Sequence, residues 1–274
     1  MKFLTVIILF LCLNASAQDT LSNWKLIETY PIEEDAVWNT DMLQNVYVVH
    51  NRMITKYDST GIKKFSQSIK SLGQVKEIMP INTMKLVLFS EDQQALCMLD
   101  NTLTMTEDLI DLSEFNIVNA SLATTSSQPE KIWILDQLNS RLLLLDLAGK
   151  MQYQEVRNLK GVLGSTDITS MIESSGHLFL LTDDYSFYEF DVYGSLIKAY
   201  GSAEGSMATK SHLFPSENKI FWLSVNRLYA MDYGGETTIV ELPKPGIIDF
   251  KKVGDIYYFR TADKILKYAF KNTR

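Results

Sequence analysis

The sequence predicts an all-β fold: a single six-bladed β-propeller with four-stranded blades, the last blade closed by the N-terminal strand. Three observations carry this reading. Short apolar runs rich in β-branched and aromatic residues recur along the chain. Each is followed by a strand that ends on Asp and then turns. The Asp positions fall 42, 46, 45 and 41 residues apart, with a degenerate sixth copy 37 residues later at Ala269. A period of roughly 40–45 residues carrying four strands is the mark of a propeller blade.

The chain opens on a predicted signal peptide, residues 1–17. Lys2 supplies the positive start, Phe3 to Leu13 the apolar stretch, and Ala15-Ser16-Ala17 the cleavage site before Gln18. Leu11 stands before Cys12, where a lipid-modified leader wants a small residue, so cleavage without lipidation is expected. Residues 18–274 then form the propeller. No later apolar stretch is long enough for a membrane span. The expected product is a monomer, in the periplasm or secreted.

Trp24–Ile32 is an alternating segment left over before the first unit. The second strands follow as Val46–Val49, Leu86–Phe89, Ile132–Leu135, Leu178–Leu181, Ile220–Leu223 and Ile256–Phe259. Their length, branching and polar flanks read as buried strands. The third strands run into Asp58, Asp100, Asp146, Asp191 and Asp232, and Ile62–Gln67, Lys150–Val156 and Thr237–Leu242 are examples of the fourth. The last unit supplies only three strands: Gly246–Lys251, Ile256–Arg260 and Ile265–Phe270. Pairing it with Trp24–Ile32 closes the ring and hides two sheet edges.

The repeat carries a resemblance. Asp136-Gln137-Leu138-Asn139-Ser140-Arg141-Leu142, continuing through Asp146 to Gly149-Lys150, resembles the NHL-type repeat of six-bladed propellers, the wider TolB-like group. Asn51-Arg52-Met53 with Asp58 and Gly61, and Asn226-Arg227-Leu228 with Asp232 and Gly235, are similar. The resemblance implies a ring around a central channel, with two kinds of loop on opposite faces.

Composition narrows the function. At 46% hydrophobic and 22% charged the chain is globular. The net charge of −7, or −8 once Lys2 is removed, argues against a nucleic-acid partner, whose phosphates reward a basic face. Three histidines and two cysteines leave little for a metal cluster or a disulfide framework. Cys97 lies in the apolar run Leu96–Leu99 and reads as a small buried hydrophobe.

The recurring Asp turns invite a calcium or sialidase-type Asp-box reading. Lys56 and Phe65 stand where that box wants Ser and Trp, so a structural turn is expected. Arg52, Arg141 and Arg227 share one place in the repeat, and turns on the same face carry Glu91, Asp92, Asp136, Asp183, Asp184 and Asp263. A salt-bridge belt between blades is the expectation, with a charged docking face as its functional rival. The glycine-bearing connection Arg157–Asp167 is longer than its counterparts, and it lacks the ending of a phosphate loop. The inner strands offer Asn39, Glu77, Asn119, Glu173, His212 and Asp249. Of these Glu77, Asn119, Glu173 and Asp249 are the set a calcium-dependent lactonase or esterase would use. No serine elbow or His-Glu-x-x-His motif is present. The four tryptophans fall in or beside strands, where core packing is expected.

The function expected is therefore binding without catalysis and without a cofactor. The partner is an envelope protein or peptide, one form of the reading being an accessory of an outer-membrane secretion complex. Glu33, Glu34, Asp35, Asp183, Asp184, Arg157 and Lys160 are the candidate contacts. The alternative is the calcium-dependent hydrolase with its site in the channel.

Overall fold

The computed structural model describes residues 23–164, 167–184, 186–202, 213–216, 219–224, 227–232 and 234–271. The predicted signal peptide and His212 lie outside them. Among the described residues the strands form six four-stranded antiparallel sheets. From channel to rim, blade 1 is Val37–Thr40, Val46–His50, Met53–Tyr57 and Lys63–Ser68. Blade 2 is Glu77–Pro80, Lys85–Ser90, Ala95–Asp100 and the two-residue Ile110–Asp111. Blade 3 is Ala120–Thr125, Lys131–Asp136, Arg141–Asp146 and Met151–Val156. Blade 4 is Ile168–Ser174, His177–Thr182, Ser186–Asp191 and Leu196–Ser202. Blade 5 is Leu213–Ser216, Lys219–Ser224, Arg227–Asp232 and Thr237–Val240.

Blade 6 contributes Asp249–Val253, Ile256–Arg260 and Lys264–Phe270, and Trp24–Pro31 pairs onto the last of these. The register runs from Trp24 opposite Phe270 to Pro31 opposite Lys264. Each inner strand touches the inner strand of the next blade, and that of blade 6 touches that of blade 1. The ring is closed, as the strand count predicts.

Six apolar clusters fill the six seams between blades among the described residues. This explains the unbroken apolar second strands. In the second strand of blade 3, Ile132 and Ile134 pack toward blade 2 while Trp133 and Leu135 pack toward blade 4, so a polar residue has no place on either face. The inner strands face the channel on one side and keep Thr124, Thr169 and Ser170, which weakens their signature in the sequence.

The connections between blades carry short helical turns: Lys70–Leu72, Leu112–Phe115 and the helix Leu159–Leu163. Each drops apolar side chains into a seam: Leu72, then Leu112 with Phe115, then Leu159 with Leu163. Part of the length of the Arg157–Asp167 connection is thus the packed turn Leu159–Leu163. The helix Leu159–Leu163 is a plug between blades 3 and 4.

Candidate binding faces and the channel

Antiparallel alternation sorts the loops onto two faces. The hairpins between second and third strands, and the connections between blades, share one face, here the loop face. The tight turns between first and second, and third and fourth strands, share the other, the turn face.

The Asp turns belong to the turn face and are structural. Asp58 accepts from the amides of Thr60 (2.9 Å) and Ile62 (3.0 Å), and Asp100 accepts from those of Thr102 (2.8 Å) and Thr104 (2.9 Å). The Thr60 hydroxyl, with those amides and Lys64, holds the Asp58 carboxyl well below the usual carboxylate range, and the Thr102 hydroxyl with its amides lowers that of Asp100. Asp191 and Asp232 repeat the pattern on the amides of Ser195 and Glu236. The last turn position is left-handed, at Gly61, Gly194, Gly235 and, unusually, Leu103 (φ 68°). Leu103 accepts that strain because its side chain is fully buried in the seam between blades 1 and 2.

Lys56, two residues before its Asp, was legible only as a mismatch to the Asp box. It is buried, lies over the Tyr47 ring and donates to the carbonyl of Asn101 in the Asp turn of blade 2 (3.0 Å). Lys267 does the same from blade 6, over Tyr258 and onto the carbonyl of Ser59 in the Asp turn of blade 1 (2.8 Å). These are ties between neighbouring blades. Their signal in the sequence is a lysine followed by tyrosine near the end of a third strand.

The arginines correct the salt-bridge belt, because the three are not equivalent. Arg52 sits inside the two-residue tip of the blade 1 hairpin, whereas Arg141 and Arg227 begin third strands. Arg141 bonds Asp136 (2.9 Å) and Glu155 (2.8 Å) of its own blade and the carbonyl of Asn116. Among the described residues neither Arg52 nor Arg227 has an acidic partner.

The channel holds a cavity of about 290 Å³ lined by residues of all six inner strands, among them Asn39, Glu77, Thr124, Glu173, Phe214 and Lys251. The four proposed calcium ligands take different places. Glu77 lies opposite Phe89 and Asp249 opposite Arg260, at the loop-face end. Glu173 lies opposite Leu178, at the turn-face end. Asn119 is exposed just before its inner strand. Two of the carboxylates have other work. Glu173, buried, accepts from the Trp133 indole (2.6 Å) and the Ser127 amide (2.7 Å). Asp249 accepts from the Trp38 indole (2.8 Å) and the Phe250 amide (2.7 Å). Both thus tie blade to blade. Among the described residues no group of three or more His, Cys, Asp or Glu side chains is placed to hold a metal ion. Burial pushes the Cys97 thiol up to about 11, in keeping with a packed hydrophobe.

All seven candidate contact residues share the loop face. Arg260 donates to the carbonyls of Ala36 (2.7 Å) and Glu34 (2.5 Å), which fixes the Glu33–Asp35 backbone and turns its carboxylates outward. Asp35 meets His50 at 3.1 Å. Asp184 is spent within its hairpin on Thr182 and Ser186, while Asp183 is exposed. Arg157 is exposed and pairs with Glu155 (2.8 Å), and Lys160 projects from the helical plug.

Beside these charges lies an apolar group that sequence reasoning missed. Leu138 at the tip of the blade 3 hairpin is 70% exposed, Val118 60% and Val162 42%. Backbone bonds hold their loops together: the Gln137 amide donates to Asn119 (2.9 Å), and the Leu159 amide to Ser140 (2.9 Å). The Lys160 amide donates to the Ser140 hydroxyl (2.8 Å).

No protein-family model and no curated protein sequence matches the chain. Solved structures do. Virginiamycin B lyase from Staphylococcus aureus is similar at TM-score 0.59 and 10% identity, over 86% of this chain and 80% of that one. BamB from Moraxella catarrhalis is similar at TM-score 0.50 and 10% identity, over 86% and 71%. PorZ, an essential bacterial surface component of the type-IX secretion system of Porphyromonas gingivalis, is similar at TM-score 0.53 and 12% identity. The match to PorZ covers 92% of this chain and 38% of PorZ. At such identities the likeness speaks for the fold alone.

Proposed function

We propose that this chain is an exported, noncatalytic propeller whose loop face binds an envelope protein or peptide. The observation that carries the reading is the Leu138 group. Three exposed apolar side chains sit on hydrogen-bonded loops of the face that also carries Arg157, Lys160 and Asp183. A rigid apolar centre with a charged rim is the anatomy of a protein-binding hot spot. The finer reading is an accessory of an outer-membrane secretion complex, and the fold-level likeness to PorZ is its support. The rival calcium-dependent hydrolase would draw on Glu173 and Asp249, which are already engaged by tryptophan indoles.

Photo-crosslinking in the native envelope tests the proposal. A crosslinker at position 138 is expected to give a discrete adduct, and one at Met42 on the turn face none. Adducts of equal yield from both positions, or none from position 138, would overturn it. Chelator and excess calcium are expected to leave the melting temperature unchanged. A calcium-dependent rise lost in Glu77→Ala would favour the hydrolase instead.

A further inference from the structure

The seam between blades 1 and 2 holds a second feature of the loop face, in a different sector of the ring from Leu138. A cavity of about 260 Å³ opens there between the blade 6–blade 1 connection, the blade 1 hairpin tip and the segment Gly73–Val75. Val37, Val49 and Val75 give it an aliphatic lining, and His50, Asn51, Arg52 and Asp35 the polar one.

The backbone beneath the polar lining is strained. Asn51 (φ 49°) and Arg52 (φ 60°) are both left-handed, the two-residue turn that Asn-Gly makes with least strain. The chain keeps an arginine where glycine would relieve the crowding, one of eleven left-handed non-glycine positions among the described residues, and here the side chain lines the cavity. Among the described residues neither the Asn51 amide nor the Arg52 guanidinium has a side-chain partner. The acids nearby are committed: Asp35 to His50 at 3.1 Å, and Asp92 to the Ser90 hydroxyl and the Gln74 amide.

We propose that this cavity binds a carboxylate carried on an aliphatic stem. The Arg52 guanidinium and the Asn51 amide receive the two oxygens, a geometry for which a guanidinium fork is suited. The three valines receive the stem. Two sources share this chemistry: a free short-chain aliphatic acid, and the C-terminus of a peptide ending in Val or Leu.

Calorimetric titration of the mature protein separates them. The probes are an acetylated tripeptide ending in free Leu, its C-terminal amide, and 4-methylpentanoate. The free-acid peptide is expected to bind and the amide to fail. Arg52→Asn, which suits a left-handed position, should weaken binding about tenfold or more, whereas Arg227→Asn should leave it unchanged. Binding of 4-methylpentanoate alone, with the same dependence on Arg52, assigns the site to a small acid. Equal binding of acid and amide, no loss in a folded Arg52→Asn protein, or no saturation by any probe at millimolar concentration overturns the proposal.

Discussion

The ammonium of Lys56 in blade 1 donates to the backbone carbonyl of Asn101 in blade 2 at 3.0 Å, and the pairing of Lys267 with Ser59 repeats it one seam earlier. A third-strand lysine therefore reaches over a second-strand tyrosine and grips the Asp turn of the next blade. The first prediction follows. Lys56→Ala removes the donor and leaves the Asn101 carbonyl unpaired, at a cost of about 2 kcal/mol. Urea denaturation reads it, and a change within a few tenths of a kcal/mol would count the tie as ornamental.

Ring closure rests on Trp24. Its ring lies edge-on to Tyr257 (4.9 Å), Phe259 (5.2 Å) and Phe270 (4.6 Å), and its indole donates to the carbonyl of Glu241 in blade 5 (2.7 Å). Trp24→Ala is expected to lose about 3–5 kcal/mol. Deleting residues 18–32 is expected to cause aggregation through the exposed edge of Lys264–Phe270. A truncated protein that melts like the mature chain would refute closure.

Leu103 and Gly61 occupy the same turn position in neighbouring blades for opposite reasons. Gly61→Ala adds strain at φ 82° and brings a Cβ to 2.9 Å from the Glu28 side chain, so a loss of about 1 kcal/mol is expected. Leu103→Gly relieves strain, yet it empties a buried site and should lose about 2–3 kcal/mol. Equilibrium unfolding of the two variants checks the signs: a stabilised Leu103→Gly would mean that strain outweighs burial.

How far the sequence reveals this molecule depends on whether the determining contacts are local. The second strands are legible because burial on both faces leaves a continuous run such as Ile132–Leu135. The Asp turns are legible because each aspartate bonds amides two to four residues on. The plug Leu159–Leu163 is a single helical turn, too short for a 3.6-residue period to register, so only its length shows. The ties are hardest to see. Glu173 meets Trp133 forty residues away, and Asp249 meets Trp38 across the ring closure, 211 residues away. In sequence both carboxylates look free for a metal. The three arginines look equivalent in spacing, and hairpin geometry alone places Arg52 in a turn and Arg141 in a strand.

Alkaline pH supplies another prediction. Burial first, with Asp41 beside Tyr47 and Glu28 beside Tyr30, pushes the phenols of Tyr30, Tyr47 and Tyr258 far above their ordinary value. A phenol raised in the folded state stabilises the fold fully below its unfolded pKa of about 10, and that contribution is lost as pH rises beyond it. Lys267, lowered by burial, acts with the opposite sign and is outnumbered, since burial also raises Tyr57 and Tyr268. Stability should therefore fall steeply above roughly pH 10. The phenolate absorbance of these tyrosines should appear together with unfolding. Complete tyrosine ionisation while the circular dichroism stays native would contradict the burial described here.

Whether the loop face binds a protein through Leu138 is decided by the affinity of loop-face and turn-face variants for the crosslinked partner. Leu138→Asp and Met42→Asp each change one exposed apolar residue, on opposite faces, so both should melt like the parent protein. Leu138→Asp is expected to weaken binding by about 30-fold, the roughly 2 kcal/mol of a hot-spot residue, and Met42→Asp to leave it unchanged. Undiminished affinity in Leu138→Asp, or an equal loss in Met42→Asp, would contradict binding through Leu138.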